Sequence, residues 1–225
     1  MKSILYYTDN RLREPFFSAV QARLLKANLP IISVSLKPMD FGRNIHYKGK
    51  RGYLTMFKQI LTGLKASKTD YIFFCEHDVL YHPSHFDFEP KKDNVYYYNN
   101  NVWKYKPSTG QVVGYDCRWL SQLCASKKIL LDHYKRKIHL IEAEGKKLWN
   151  YRFEPGTKKG IDNYKTKWFY SKFPNIDIKH GKNLMGTSRF HPSEFVGKPE
   201  KVCPNFEETT VDKIPGWNKK SLLNL

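Results

Sequence analysis

A chain of 225 residues with 40% hydrophobic and 27% charged side chains is long enough for one full domain and can bury a real core, so disorder over most of its length is excluded. Thirty-nine Lys and Arg against 21 Asp and Glu leave a net charge of +18, which favours an anionic partner such as nucleic acid, an anionic membrane surface or a phosphorylated ligand. No stretch approaches the ~18 apolar residues of a transmembrane segment.

Residues 3–7 are a short apolar, β-favouring run that ends at the turn-forming Thr8-Asp9-Asn10. Pro15 suits the first turn of a helix, and Phe16, Phe17, Val20, Leu24 and Leu25 follow at helical spacing until Asn28 and Pro30 close it. Residues 30–36 predict a second strand. Residues 53–66, with Leu54, Phe57, Ile60, Leu61 and Leu64 on one face, predict a second helix. Residues 70–75 form an unbroken apolar run, the mark of a strand covered on both faces. Strand, helix, strand, helix, strand implies right-handed crossovers and an α/β fold with a mostly parallel sheet flanked by helices.

Beyond residue 80 the pattern shortens. Residues 95–98, 102–105 and 111–114 read as short strands around the turn Pro107-Ser108-Thr109-Gly110. Residues 118–125 and 129–143 predict helices, and 153–159, holding Pro155-Gly156, predicts a loop. Four later prolines and little periodicity predict an irregular C-terminal extension. The expected organisation is one domain over 1–190 with a tail, 191–225, packed on it. The N-terminus shows no signal-peptide pattern, and the cysteines Cys75, Cys117, Cys124 and Cys203 form no Cys-x-x-Cys pair. Both features fit a reducing, cytoplasmic setting.

The triplet Glu76-His77-Asp78 follows the buried strand directly. Asp87-Phe88-Glu89 and Glu142-Ala143-Glu144 share its acid-x-acid pattern, but position separates them. Only the first lies at the carboxyl end of a buried parallel strand, where ligands of open α/β sheets bind. Two carboxylates there suit a hard divalent cation, which in turn holds a diphosphate. Further on, Ile176-Asp177-Ile178-Lys179-His180-Gly181 reads as a strand ending at a histidine, and a neutral imidazole beside carboxylates suits Mn²⁺. His77, His82 and His85 do not read as a metal cluster, because Pro83 breaks any helix that would align them. P-loop, dinucleotide-binding, zincin and nucleophile-elbow motifs are absent. The basic clusters Lys135-Arg136-Lys137, Lys146-Lys147 and Lys158-Lys159 read as solvated faces, although their interleaving with Trp149, Tyr151 and Trp168 also suits a groove that tracks a polyanion.

The acid triplet, the later histidine and Thr8-Asp9-Asn10 together resemble the nucleotide-sugar glycosyltransferases of the GT-A fold, family-two-like, over roughly residues 3–190. The resemblance implies a Rossmann-type sheet, a UDP-sugar donor and bound Mn²⁺ or Mg²⁺. It places Asp78 and His180 on the metal, and Glu76 on the ribose or on the metal through water, with Glu where the family has Asp. It makes Thr8, Asp9, Asn10 and Arg51 contacts of the nucleotide, and Lys182 joins the donor-binding candidates. Inverting transfer needs a carboxylate base. Glu154 is the first candidate, Asp116 the second and Asp162 the third. The acceptor is open between hydroxymethyl-pyrimidine DNA and a surface or lipid-linked glycan. For DNA, the charge supplies phosphate contacts and Trp103, Trp119, Trp149 or Trp168 would hold a flipped base. The rival reading is a non-catalytic nucleic-acid-binding protein.

Overall fold

The computed structural model describes residues 1–151, 153–157, 161–180, 190–194, 198–218 and 222. The first half holds β1 (Lys2–Thr8), α1 (Phe16–Leu25), β2 (Ile31–Ser35), β3 (Arg43–His46), α2 (Tyr53–Ala66), β4 (Tyr71–Glu76) and β5 (Val79–Leu80), of which β1, α1, β2, α2 and β4 stand where the periodicity predicts and β3 and β5 are additions. The second half contributes β6 (Val95–Asn99), β7 (Val102–Lys106), β8 (Gln111–Gly114), β9 (Leu123–Ser126), α3 (Lys127–Glu142), β10 (Lys165–Phe169), β11 (Asn175–Ile178), α4 (Pro199–Val202) and β12 (Glu207–Thr209).

Among the described residues a seven-stranded sheet runs β10-β6-β9-β4-β1-β2-β3. Only β9 lies antiparallel to its neighbours β4 and β6; the other pairs are parallel. This is an α/β fold with a mostly parallel sheet flanked by helices. β1 and β2 are buried along almost their whole length, as strands sandwiched between helical layers must be. Alternate side chains feed two cores. Ile4, Tyr6, Phe73 and Cys75 face α1 with Val20 and Leu24, whereas Leu5, Tyr7, Ile72 and Phe74 face α2 and α3 with Phe57, Ile60, Leu64 and Tyr134. Each such apolar side chain contributes about 1.5–3 kcal/mol on burial.

One expectation is overturned. Residues 118–125, predicted as a helix, form a 3₁₀ turn at Leu120–Gln122 and then β9. Trp119, Leu120, Leu123 and Cys124 carry a helical spacing, but the slot between β4 and β6 buries all four residues of β9, and pairing there outweighs local propensity. Lys137, read as part of a solvated face, is also buried, at 1% exposure.

A second sheet, β12-β8-β7-β11-β5, packs beside the first. Its β12 comes from the tail and pairs antiparallel with β8. Farther along, the Trp217 indole donates to the Pro174 carbonyl at 2.8 Å, and the Arg23 guanidinium lies 4.7 Å from the Trp217 ring. All four cysteines are free, and among the described residues no helix is long and apolar enough to cross a membrane.

Candidate functional site

The carboxyl ends of β1 and β4 form one rim of the large sheet, and Thr8, Asp9, Asn10, Glu76 and Asp78 lie along it. β1 ends in a tight turn: the Asn10 amide donates to Thr8 Oγ1, and Asn10 takes φ 58°, a left-handed conformation that asparagine tolerates. Asn10 Oδ1 accepts from the Leu36 and Lys37 amides at 2.9 Å each, tying the loop after β2 to the loop after β1. The Thr8 carbonyl accepts from the Gln59 side chain of α2. Thr8 and Asn10 therefore shape the loop through their own backbone and side-chain bonds. Asp9 points along the rim, where its Oδ2 accepts from Arg51 Nε at 2.5 Å.

The acid triplet and the distant histidine meet through the second sheet. β5, directly after Asp78, pairs with β11, and the Ile178 amide donates to the Asp78 carbonyl at 2.7 Å. His180, two residues beyond Ile178, consequently arrives beside Asp78, with Nε2 3.4 Å from Oδ2. His77 completes the group, its ring 5.8 Å from that of His180. One ligand atom from each of His77, Asp78 and His180 lies within 4.8 Å of the other two.

These three residues fit a divalent cation. Nε2 of His77 and Nε2 of His180 are buried and make no hydrogen bond, and that of His180, beside Asp78, is an orphan that costs about 1–3 kcal/mol unless a cation fills the role. Two ligand atoms bonded at about 2.0–2.2 Å to one cation stand roughly 3.0–3.5 Å apart, the separation that Asp78 and His180 already have. Burial pushes the Asp78 carboxyl upward, but His180, His77 and Lys179 outweigh it and hold its pKa below the ordinary value, so the group is an anion ready to ligate.

Glu76 has different surroundings. Its Oε1 accepts from the Tyr7 hydroxyl at 2.6 Å, and burial, followed by the Asp78 charge, raises its pKa. As the last residue of β4 it is in register with Tyr7, on the face that carries Phe74 and Tyr134. Lys179 pairs with Asp177 at 2.9 Å; burial lowers its pKa, but Asp177 and Asp78 outweigh that and keep it a cation.

The three base candidates stand in unlike environments. Glu154 is half-buried in the loop after α3, and burial pushes its pKa up to about 7 against the opposing pull of Lys137. Burial first, then the charges of Glu154 and Glu76, push the pKa of the Tyr134 hydroxyl up. Asp116 is tied on both oxygens, by the Asn100 and Asn205 amides, where the tail meets β8. Asp162 accepts from His133 Nδ1, the Tyr96 hydroxyl and the Tyr164 amide, and borders a cleft of about 390 Å³ with Asp132, Arg136 and Asn163. Burial raises its pKa but those partners prevail and lower it. Lys182 and the Trp149 side chain lie outside the described residues. Trp119 lies 3.8 Å from Lys104 Nζ, Trp168 4.5 Å from the Arg118 guanidinium, and Trp103 against Gly114.

Sequence reasoning passed over His77 by testing it against His82 and His85 alone. Those two are occupied elsewhere: His82 Nδ1 bonds Ser84, and His85 Nδ1 bonds Asn99 and Asn175. The available signal was the position of His77 between two acids already assigned to a site.

No protein-family model matches the sequence, and no characterised protein matches it at a significant level. Among solved structures it is similar to a nucleotidyl transferase from Methanothermobacter thermautotroptrophicus, at 16% identity and TM-score 0.44 over 60% of this chain and 76% of that one. It is similar also to a glycosyltransferase involved in glycosylation of the major capsid of PBCV-1, at 11% identity and TM-score 0.44 over 75% and 81% of the two chains. A third is the bifunctional IspDF from Campylobacter jejuni, at 7% identity and TM-score 0.40 over 76% and 50%. Likenesses this distant assign no activity.

Proposed function

We propose that the chain is a metal-dependent glycosyltransferase that moves a sugar from a nucleotide-sugar donor, a UDP-sugar, to an acceptor hydroxyl. The observation that carries this reading is the convergence of His77, Asp78 and His180 at the carboxyl rim of a parallel sheet, with the buried His180 Nε2 unsatisfied beside Asp78. A protein that merely binds nucleic acid has no use for three ligand atoms within 4.8 Å of one another.

Asp78 and the two histidines hold Mn²⁺ or Mg²⁺, which supplies neutralising charge for the leaving diphosphate. Thr8, Asp9, Asn10 and Arg51 form the nucleotide side of the rim, with Glu76 beneath it and Lys182 as a further donor contact. Glu154 is the base. It accepts the proton of the acceptor hydroxyl while that oxygen bonds to the anomeric carbon, the bond from carbon to the diphosphate oxygen breaks, and UDP departs with the electron pair. A carboxylate poised at about 7 is well matched to this task at neutral pH. Asp116 and Asp162 are spoken for by internal hydrogen bonds.

The test is donor binding with and without Mn²⁺, read by thermal shift, in wild type and Asp78→Asn. Binding should raise the apparent stability of wild type by about 4 kcal/mol at roughly 1,000-fold excess over the dissociation constant, only when Mn²⁺ is present, and the variant should lose the effect. A UDP-sugar that binds equally well to the variant would refute the metal assignment. The acceptor is decided by duplex binding at two salt concentrations. A DNA acceptor requires affinity to fall by orders of magnitude between roughly 50 and 200 mM salt, and an affinity that barely moves leaves the glycan.

A further inference from the structure

A ligating histidine is normally held in one tautomer and one orientation by a carboxylate, carbonyl or water on its other nitrogen. In His180 the nitrogen that faces Asp78 is Nε2, the ligating one. His77 is a side chain in the turn after β4, and the carboxylate nearest its buried Nε2 is Asp9, with Oδ1 at 3.8 Å. That separation is too long for a hydrogen bond and short enough to close with a small ring rotation. Asp9 is itself fixed. Its Oδ2 is engaged by Arg51, its Oδ1 accepts from the Arg11 amide at 3.1 Å, and its side chain is 14% exposed.

We propose that Asp9 is the outer carboxylate of the metal centre: it takes the hydrogen bond from His77 Nε2–H, leaves the Nδ1 lone pair for the cation, and links that ligand to Arg51. This rests on the metal reading above but gives Asp9 a different duty from contact with the nucleotide base. Asp9 becomes a positioning residue acting through His77. The same carboxylate then touches the metal side and the nucleotide side of the rim, so loading the cation and ordering Arg51 are parts of one arrangement. Arg51 sits just ahead of α2 and reaches Asp9 from 42 positions away, whereas His77 reaches it from β4, so the link crosses three neighbouring segments of the sheet rim.

The experiment uses Mn²⁺ alone, with no donor present. Manganese affinity is measured by titration calorimetry for wild type, Asp9→Asn, Asp9→Glu and Asp78→Asn, and the histidine rings of metal-free protein are observed by ¹⁵N NMR. Asp9→Asn should bind Mn²⁺ about 10–100-fold more weakly than wild type, with Asp9→Glu recovering part of the loss. His77 should be the Nε2–H tautomer in wild type and should lose that preference in Asp9→Asn, a change that a purely structural role for Asp9 does not produce. Asp9→Asn binding Mn²⁺ as tightly as wild type overturns the role while leaving the metal centre intact. Wild type binding Mn²⁺ no better than Asp78→Asn refutes the metal centre, and this role with it. Should Asp9→Asn fail to fold, the tautomer in wild type decides: Nδ1–H at His77 overturns the proposal.

Discussion

Lys137 is the most exacting test of the packing, because a cation has been placed where the sequence puts water. It projects from α3 into the core that also holds Phe57 and Tyr134, is 1% exposed, and donates from Nζ to the Phe153 carbonyl at 2.9 Å. Burial lowers its pKa from 10.5 to about 7, against the opposing attraction of Glu154 and Asp162. Between those two values the unfolded chain binds a proton that the folded chain does not, so stability must rise with pH across that window. Each pH unit is worth about 1.4 kcal/mol, so wild type should gain about 2–3 kcal/mol between roughly pH 7.5 and 9.5 from this group. Lys137→Met keeps the length of the side chain and removes the titration. It also removes the hydrogen bond to the Phe153 carbonyl, a cost of about 1–3 kcal/mol that does not depend on pH. Urea unfolding of both proteins at the two pH values should therefore show wild type gaining on the variant as pH rises. Repeating the pair in a Glu154→Gln background removes any change in that carboxylate. If the difference between the two proteins is the same at both pH values, Lys137 is not a buried lysine of depressed proton affinity and the reasoning is wrong.

Glu154→Gln should retain UDP binding and lose transfer, since binding a diphosphate needs no base; equal loss of both would make the loop structural. In wild type the base must be ionised, so transfer should be present above about pH 7 and fall as pH drops through it, a limb absent from any residual activity of the variant. Gly63→Ala tests how closely α2 is seated. Alanine ordinarily stabilises a helix interior by about 1 kcal/mol over glycine. Here its methyl would clash with Leu5 Cδ1 and stand 3.0 Å from Val34 Cγ2, so crowding should prevail and destabilise the protein by about 1–3 kcal/mol, seen as a lower melting temperature. A melting temperature that rises would mean α2 rides higher on the sheet.

The strands and helices with one dominant determinant were readable in advance. β1, β2 and β4 are apolar runs because both faces are covered, and α2 shows its stripe because only one face is. β3, with Arg43, Asn44, Ile45 and His46 half-buried or exposed, has no such signature and exists because β2 offers an edge. β10, Lys-Thr-Lys-Trp-Phe, alternates with both lysines exposed, but at five residues among loops it went unread in the sequence. The site divides in the same way. Asp78 was visible from its place after a buried strand. His77 was not, because its partners are Asp9, 68 positions earlier, and His180, 103 positions later, and only the pairing of β1 with β4 and of β5 with β11 brings them together.

The reversed direction of β9 has a consequence for everything that follows it in the chain. Helices that follow strands pointing at the rim, such as α1 and α2, descend and carry the next residues away from it. β9 points the other way, and the Lys127 amide bonds the Asp70 carbonyl at the foot of β4, so α3 begins at the bottom of the sheet. Sixteen residues at about 1.5 Å each lift the chain some 24 Å from that foot before the segment carrying Glu154 begins. The length of α3 thus acts as a ruler. Each residue inserted at its C-terminal end would move the following loop by about 1.5 Å and swing it by roughly 100°, aiming the carboxylate elsewhere.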